Sequence, residues 1–164
     1  MAMAFQQFED IAIEFILTGN KLTDEDFATF LNGMAKLTFV NSLTYSENHF
    51  GALSLEALKP ILTRTVLKHS LRALHIKNCK ISGRTTRGLL HTLNTGKNFI
   101  KSLSLVNVNL SFVNYQELCS LIKRSRYLIH LDISWNSLRS YDMYELIDVI
   151  SENRLLQWLN LSFN

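Results

Sequence analysis

The sequence predicts an α/β fold built by repetition, strands alternating with returning helices, and three observations predict it. A template, L-x-x-L-x-L-x-x-N-x-L, can be laid down six times along the 164 residues. Its Asn-type positions fall at 20, 48, 79, 108, 136 and 164, in steps of 28, 31, 29, 28 and 28. Between copies the apolar spacing changes from a period near two to a helical one, which a strand followed by a helix requires.

In chain order the first copy, Ala12-x-x-Phe15-x-Leu17-x-x-Asn20-x-Leu22, is the most degenerate, and Val40-x-x-Leu43-x-Tyr45-x-x-Asn48-x-Phe50 is less so. Leu71-x-x-Leu74-x-Ile76-x-x-Cys79-x-Ile81 and Ile100-x-x-Leu103-x-Leu105-x-x-Val108-x-Leu110 follow with one substitution each at the polar position. The clearest copies are Leu128-x-x-Leu131-x-Ile133-x-x-Asn136-x-Leu138 and Leu156-x-x-Leu159-x-Leu161-x-x-Asn164.

The helices are predicted by two columns. Eight residues beyond each template stand Phe30, Leu58, Leu89, Leu118 and Leu146; twelve beyond stand Met34, Leu62, Leu93, Ile122 and Ile150. Residues four apart share a helix face, so each segment carries an apolar stripe to bury against its own strand and its neighbours. Asp24, Ser54, Ser82, Ser111 and Ser140 lie near the helix starts, where side-chain oxygens can accept from unpaired backbone N–H groups. Pro60 falls within the second helix, where a distortion or a displaced start is expected.

These copies resemble the leucine-rich repeat, and the 28–29-residue step with an Asn/Cys position is similar to its ribonuclease-inhibitor-like subfamily. That subfamily includes nucleotide-binding-receptor repeat regions, Ran GTPase activators and tropomodulin-like actin caps. The resemblance covers the chain from about Ala12 to Asn164. It implies a solenoid, a curved horseshoe with parallel strands on the concave face and helices on the convex face. On that basis residues 1–164 form a single domain of about six strand units, with an N-terminal cap over 1–11 and a last repeat truncated at 164. Ala2, Phe5, Phe8, Ile11 and Ile13 supply the cap; further chain or a partner is expected to cover Leu156, Leu159 and Leu161. One departure concerns the position four beyond the template, often glycine in the family and here Asp26, Ser54, Thr85, Asn114 and Asp142. The Asn column should bond backbone groups of adjacent turns, each bond contributing about 1 kcal/mol. Cys79 can serve only weakly and Val108 not at all, so an interruption is expected there.

Composition narrows the function classes. Hydrophobic content of 47% suits a buried core, and no segment reads as a signal peptide or membrane span. Cys79 and Cys119 show no metal-ligand spacing, which suits a reducing, cytoplasmic setting with neither disulfide framework nor metal. Net charge of +3 conceals a division. Residues 1–58 carry 2 basic and 8 acidic side chains, 59–126 carry 13 and 1, and 127–164 carry 2 and 5.

The template x positions point away from the core and form columns. One reads Ile16, Thr44, His75, Ser104, Asp132 and Asn160; the next Thr18, Ser46, Lys77, Val106, Ser134 and Ser162; beside them run Gly19, Glu47, Asn78, Asn107, Trp135 and Phe163. His130, Asp132, Trp135, Trp158, Asn160 and Phe163 should therefore share one wall, with both tryptophans on it. Aromatics among polar groups are the usual anchors of an interface. Arg72, Lys77 and Lys101 are read as concave cations that add to the partner-binding set with His75. The remaining cations of the middle section lie on helices and their loops, where they suit a solvated face, and as a group they are the alternative, an electrostatic binder of nucleic acid or another polyanion.

Catalysis has little support. No glycine-rich phosphate loop, metal-ligand cluster or nucleophile elbow occurs, and His130 with Asp132 reads as a surface pair. Similarity to the Ran GTPase activators would imply a catalytic arginine in an early inter-repeat loop, where the first two units offer only Lys21. The expectation is a non-enzymatic, cytoplasmic scaffold or adaptor without a cofactor, binding a protein partner through its concave face, as subunits of cytoskeletal or ciliary complexes do.

Overall fold

Alternation decides which way each strand faces. Leu43 and Tyr45, Leu74 and Ile76, Leu103 and Leu105, and Leu131 with Ile133 give every middle strand one apolar side, and a computed structural model of the protein shows those sides buried. It describes residues 13–37, 39–65, 70–110 and 112–164. The cap residues Ala2, Phe5, Phe8 and Ile11, the cation Lys68 and the helix start at Ser111 lie outside the described residues.

Six strands result among the described residues: β1 (Ile13–Thr18), β2 (Val40–Ser46), β3 (Ala73–Lys77), β4 (Ser102–Val106), β5 (His130–Asp132) and β6 (Trp158–Asn160). They form one open parallel sheet in the order β1-β2-β3-β4-β5-β6. Parallel neighbours need a crossover, and helices supply it: α1 (Asp24–Met34), α2 (Ala52–Leu62), α3 (Gly83–Thr95), α4 (Phe112–Arg124) and α5 (Ser140–Glu152). Each helix packs on the next, so a layer of strands faces a layer of helices with a continuous core between them. Both helical columns line that core; Leu58, Leu89, Leu118, Leu146 and Ile122 are fully enclosed. Aromatics replace the missing leucines at the front, where the rings of Phe27 and Tyr45 stack at 3.5 Å and Phe50 closes the cluster.

Two helix starts differ from the expectation. Thr23, not Asp24, caps α1: its Oγ1 accepts from Asp26 N at 3.2 Å while Asp26 Oδ2 accepts from Thr23 N at 3.0 Å. Asp24 reaches into the next unit, where Oδ1 accepts from Gly51 N at 2.8 Å and Ser54 N at 2.9 Å, and Oδ2 from Leu53 N at 3.0 Å. A carboxylate on α1 therefore caps α2, because the N-cap there is Gly51, which has no side chain of its own to offer. Burial pushes the Asp24 carboxyl up, but the bonds from the Ser54 hydroxyl and from the Ser54, Leu53 and Gly51 N–H groups together outweigh it and hold the group below the usual carboxylate value. A Cβ on Gly51 would stand 2.2 Å from Asp24 Oδ2, so the cap and the glycine require each other. Ser54 lies inside α2 and is buried; Ser82 caps α3 as anticipated, accepting from Thr85 N at 3.2 Å.

Two of the polar residues at the position where the family often has glycine belong to the capping, Asp26 in its box and Ser54 under Asp24, while Asn114 donates to Asn109 O at 3.4 Å. Pro60 displaces no start. It sits in the last turn of α2, and the helix stops two residues later, with Thr63 N donating to Lys59 O.

The Asn column works as a ladder at Asn48, Asn136 and Asn164, while Asn20 is exposed and forms no rung among the described residues. Asn136 Nδ2 donates to Leu105 O, Ile133 O and Ser134 O, and its Oδ1 accepts from Val108 N at 2.9 Å. Asn48 and Asn164 repeat the scheme in their own units. Cys79 keeps half of it. Its thiol lies 3.5 Å from Tyr45 O and 3.4 Å from Lys77 O, while the N–H it cannot receive, that of Phe50, bonds to Lys80 O at 3.0 Å instead. Val108 forms no rung, and the Thr86 hydroxyl binds its carbonyl from α3 at 3.1 Å.

Candidate functional site

Strand register builds the open face of the sheet. Ile16, Thr44, His75, Ser104, Asp132 and Asn160 are successive pairing partners, as are Glu14, Ser42, Ala73, Ser102, His130 and Trp158, and the one irregularity is a register shift between Ile13 and Glu14 in the β1–β2 pair. The columns read from sequence are present, but their depth is uneven. Ser104 is only 5% exposed, and Ser46 and Ser134 are buried, so the middle of the face is filled by its own side chains. His75 Nδ1 lies 2.7 Å from Ser104 Oγ. Burial, and then the Lys77 ammonium two residues along, hold the His75 imidazole below its ordinary value.

Arg72 and Lys101 are not on this face. Each stands one residue ahead of its strand, out of phase with Ala73, His75 and Lys77 and with Ser102 and Ser104. Arg72 O accepts from Lys101 N at 2.7 Å and its guanidinium lies 5.6 Å from the centre of the Phe99 ring. They belong to the edge where strands begin, because β3 starts at Ala73 rather than at the template's first leucine.

The last two units bring together the wall anticipated from the sequence. The His130 and Trp158 rings are 6.3 Å apart. Asp132 does not pair with His130: its Oδ1 accepts from Ser134 N at 3.1 Å and from Ser134 Oγ at 2.7 Å. Asn160 makes the matching turn with Ser162 N at 3.0 Å. Beyond them the rings of Trp135 and Phe163 stack, centroids 4.1 Å apart and planes 20° from parallel. Trp135 is 53% exposed, Trp158 48% and Phe163 68%, so none of the three is spent on the core.

A feature that the sequence columns did not disclose explains how the stack is held. Gly19, Glu47, Asn78, Asn107, Trp135 and Phe163 all have positive φ, between 50° and 63°. In five units the N–H of this residue donates to a carbonyl of the next unit: Gly19 to Ser46, Glu47 to Lys77, Asn78 to Val106, Asn107 to Ser134 and Trp135 to Ser162, at 2.9–3.2 Å. In these five units the left-handed conformation goes with that bond, and Phe163 adopts it without one among the described residues. Glycine and asparagine adopt it readily, and a large aromatic does so at a cost of about 1–2 kcal/mol. Gly19, Asn78 and Asn107 were the available signal. The two aromatics stand in the same strained geometry at the end of the sheet, which fixes the direction of both rings.

No family model and no curated protein matches the chain. Solved structures do. The actin-binding site 2 of leiomodin-1 is similar with a TM-score of 0.67 at 14% identity, over 84% of this chain and 78% of that one. The tropomodulin C-terminal domain of Caenorhabditis elegans is similar with a TM-score of 0.63 at 11% identity, over 89% and 86%. The fold is leucine-rich-repeat-like. At these identities the leucine-rich-repeat likeness is one of backbone architecture, and the aromatic wall has to be argued from this chain's own residues.

Proposed function

We propose that the chain is a non-enzymatic protein-interaction module: a leucine-rich-repeat solenoid, of ribonuclease-inhibitor-like step, that holds a cytoskeletal protein on its concave sheet face and above all on its C-terminal wall. The finer subfamily placement rests on the repeat step and the Asn/Cys column. One observation carries the functional reading: Trp135 and Phe163 are stacked on each other, exposed, and kept so by a strained backbone instead of packing inward. Trp158 and His130 extend the same surface, and Asn160 and Asp132 stiffen its turns. A reaction centre is disfavoured because the Asp132 carboxylate is already engaged by Ser134.

Actin is the first partner to test, since the similar leiomodin-1 domain is an actin-binding site. Co-sedimentation with actin filaments and titration with monomeric actin should detect binding by the intact chain. The double variant Trp135→Ala with Phe163→Ala should weaken it by about tenfold or more, as loss of an interface anchor costs about 2 kcal/mol. Binding that survives the double variant unchanged removes the wall from the account. Affinity that falls steeply with salt, for nucleic acid above protein, would favour the polyanion reading of residues 59–126 instead.

A further inference from the structure

A second, separate feature lies at the edge where strands begin. Two consecutive helix-to-strand connections, residues 96–101 and 125–129, enclose a cavity of about 400 Å³, within the range of about 300–1,000 Å³ usual for ligand pockets. Leu93 and Leu121, both buried, are its aliphatic lining. Phe99 and Tyr127, ring centroids 5.1 Å apart and planes at 52°, add an aromatic wall. Lys97, Arg124 and Arg126 also line it and are exposed, and no carboxylate does.

The connections are held in place without a ligand. Asn98 donates to Leu93 O at 2.5 Å and accepts from Ile100 N at 3.2 Å; Ser125 Oγ accepts from Leu128 N at 3.1 Å. Little ordering is needed on binding. Asn94 donates both to Glu117 O at 2.8 Å and to its carboxylate at 2.9 Å, while its buried Oδ1 has no hydrogen-bond partner among the described residues. Cations at the ends of α3 and α4 gain from the helix dipoles, which accounts for their presence but not for an apolar cavity between them.

The geometry points to a docking site for an acidic peptide segment of a partner protein, with one apolar anchor side chain in the cavity. The anchor lies against Leu93, Leu121 and the Phe99–Tyr127 wall. Flanking carboxylates meet Lys97, Arg124 and Arg126. Charge complementarity selects the acidic partner. A nucleic acid fits less well, because the two rings already touch each other at an angle and leave no parallel slot for a base.

The test is amide-resolved NMR of the intact chain titrated with a short acetylated peptide of one tryptophan among glutamates. Chemical-shift changes confined to residues 93–101 and 121–129 are expected. Peptides with glycine for the tryptophan, or lysines for the glutamates, should bind at least about tenfold more weakly, as should the variants Lys97→Glu and Arg124→Glu with Arg126→Glu. Equal binding of the glycine peptide, shifts elsewhere or none, or displacement of the peptide by a thymidine oligonucleotide would overturn the assignment. Unchanged circular dichroism of the exposed-site variants keeps loss of binding distinct from loss of fold.

Discussion

The indole of Trp135 lies face to face with the ring of Phe163 in the next unit, and both residues are in the left-handed backbone region, at φ 61° and 58°. Neither ring is needed to fill the core, and neither residue type favours that conformation. At Trp135 the unit-to-unit bond from its N–H to Ser162 O accompanies it, as equivalent bonds do four times earlier in the chain, while Phe163 holds it without one among the described residues.

That conformation can be tested without a partner. Trp135→Gly should be more stable than Trp135→Ala by about 1 kcal/mol, since only glycine adopts positive φ freely. Urea unfolding of the two variants measures the difference; equal midpoints would show that the corner is not held left-handed.

Asn136→Ala should cost about 3 kcal/mol, because it leaves the carbonyl of Leu105 and the N–H of Val108 buried without their Asn136 partner, while Ile133 O keeps Asn164 Nδ2 and Ser134 O keeps Asn107 N. Asn164→Ala, at an exposed rung, should cost less than about 1 kcal/mol. Denaturant midpoints of both variants give the comparison, and similar losses would refute the ladder.

The strand phases, the helix columns and the Asn rungs were legible because each is a periodic demand that the chain meets locally with residue type. Other features answer to a neighbouring unit. Asp24 looks like a cap for its own helix, yet it serves α2 because the Gly51 N-cap there brings no side chain. The open-face columns were predicted in register, but sequence gives no depth, and Ser104 is covered although it points outward. Arg72 was assigned to that face by counting from Leu71, two residues before pairing begins at Ala73. Glu47 and Trp135 carry no mark of positive φ, because it goes with a bond to a carbonyl some 28 residues away, and Phe163 shares the conformation with no such bond among the described residues.

Asp24→Asn should destabilise by about 1 kcal/mol at neutral pH through its weaker cap. The folded carboxyl titrates below its unfolded value, so the unfolded chain binds the proton first on acidification. Its contribution is present above the unfolded value near 3.8 and disappears as pH falls through the lower folded value. Thermal melts from neutral pH down to pH ~2 should show a shallower acid loss in the variant than in the parent. Parallel curves would contradict the cap.

His75 acts on the same side of the profile at higher pH. Its folded value is depressed, chiefly by burial and next by Lys77, so the unfolded chain takes up the proton first as pH falls below the ordinary imidazole value of 6.5. Stability is full above that value and declines until pH passes the lower folded one. His75→Gln should flatten this part of the profile in denaturant titrations between pH ~8 and ~5. A slope that persists unchanged would place its cause elsewhere.

Both tryptophans of the chain, Trp135 and Trp158, stand on the proposed wall, so they are a complete and local pair of reporters. Fluorine NMR of protein grown with fluorotryptophan, titrated with unlabelled actin, is the most direct measurement. Shift or broadening of both resonances, saturating with actin and absent when Phe163 is replaced by alanine, is the predicted result. Two sharp, unmoved resonances at actin concentrations where the chain co-sediments would contradict the account, because the partner would then be held somewhere other than the aromatic end of the sheet.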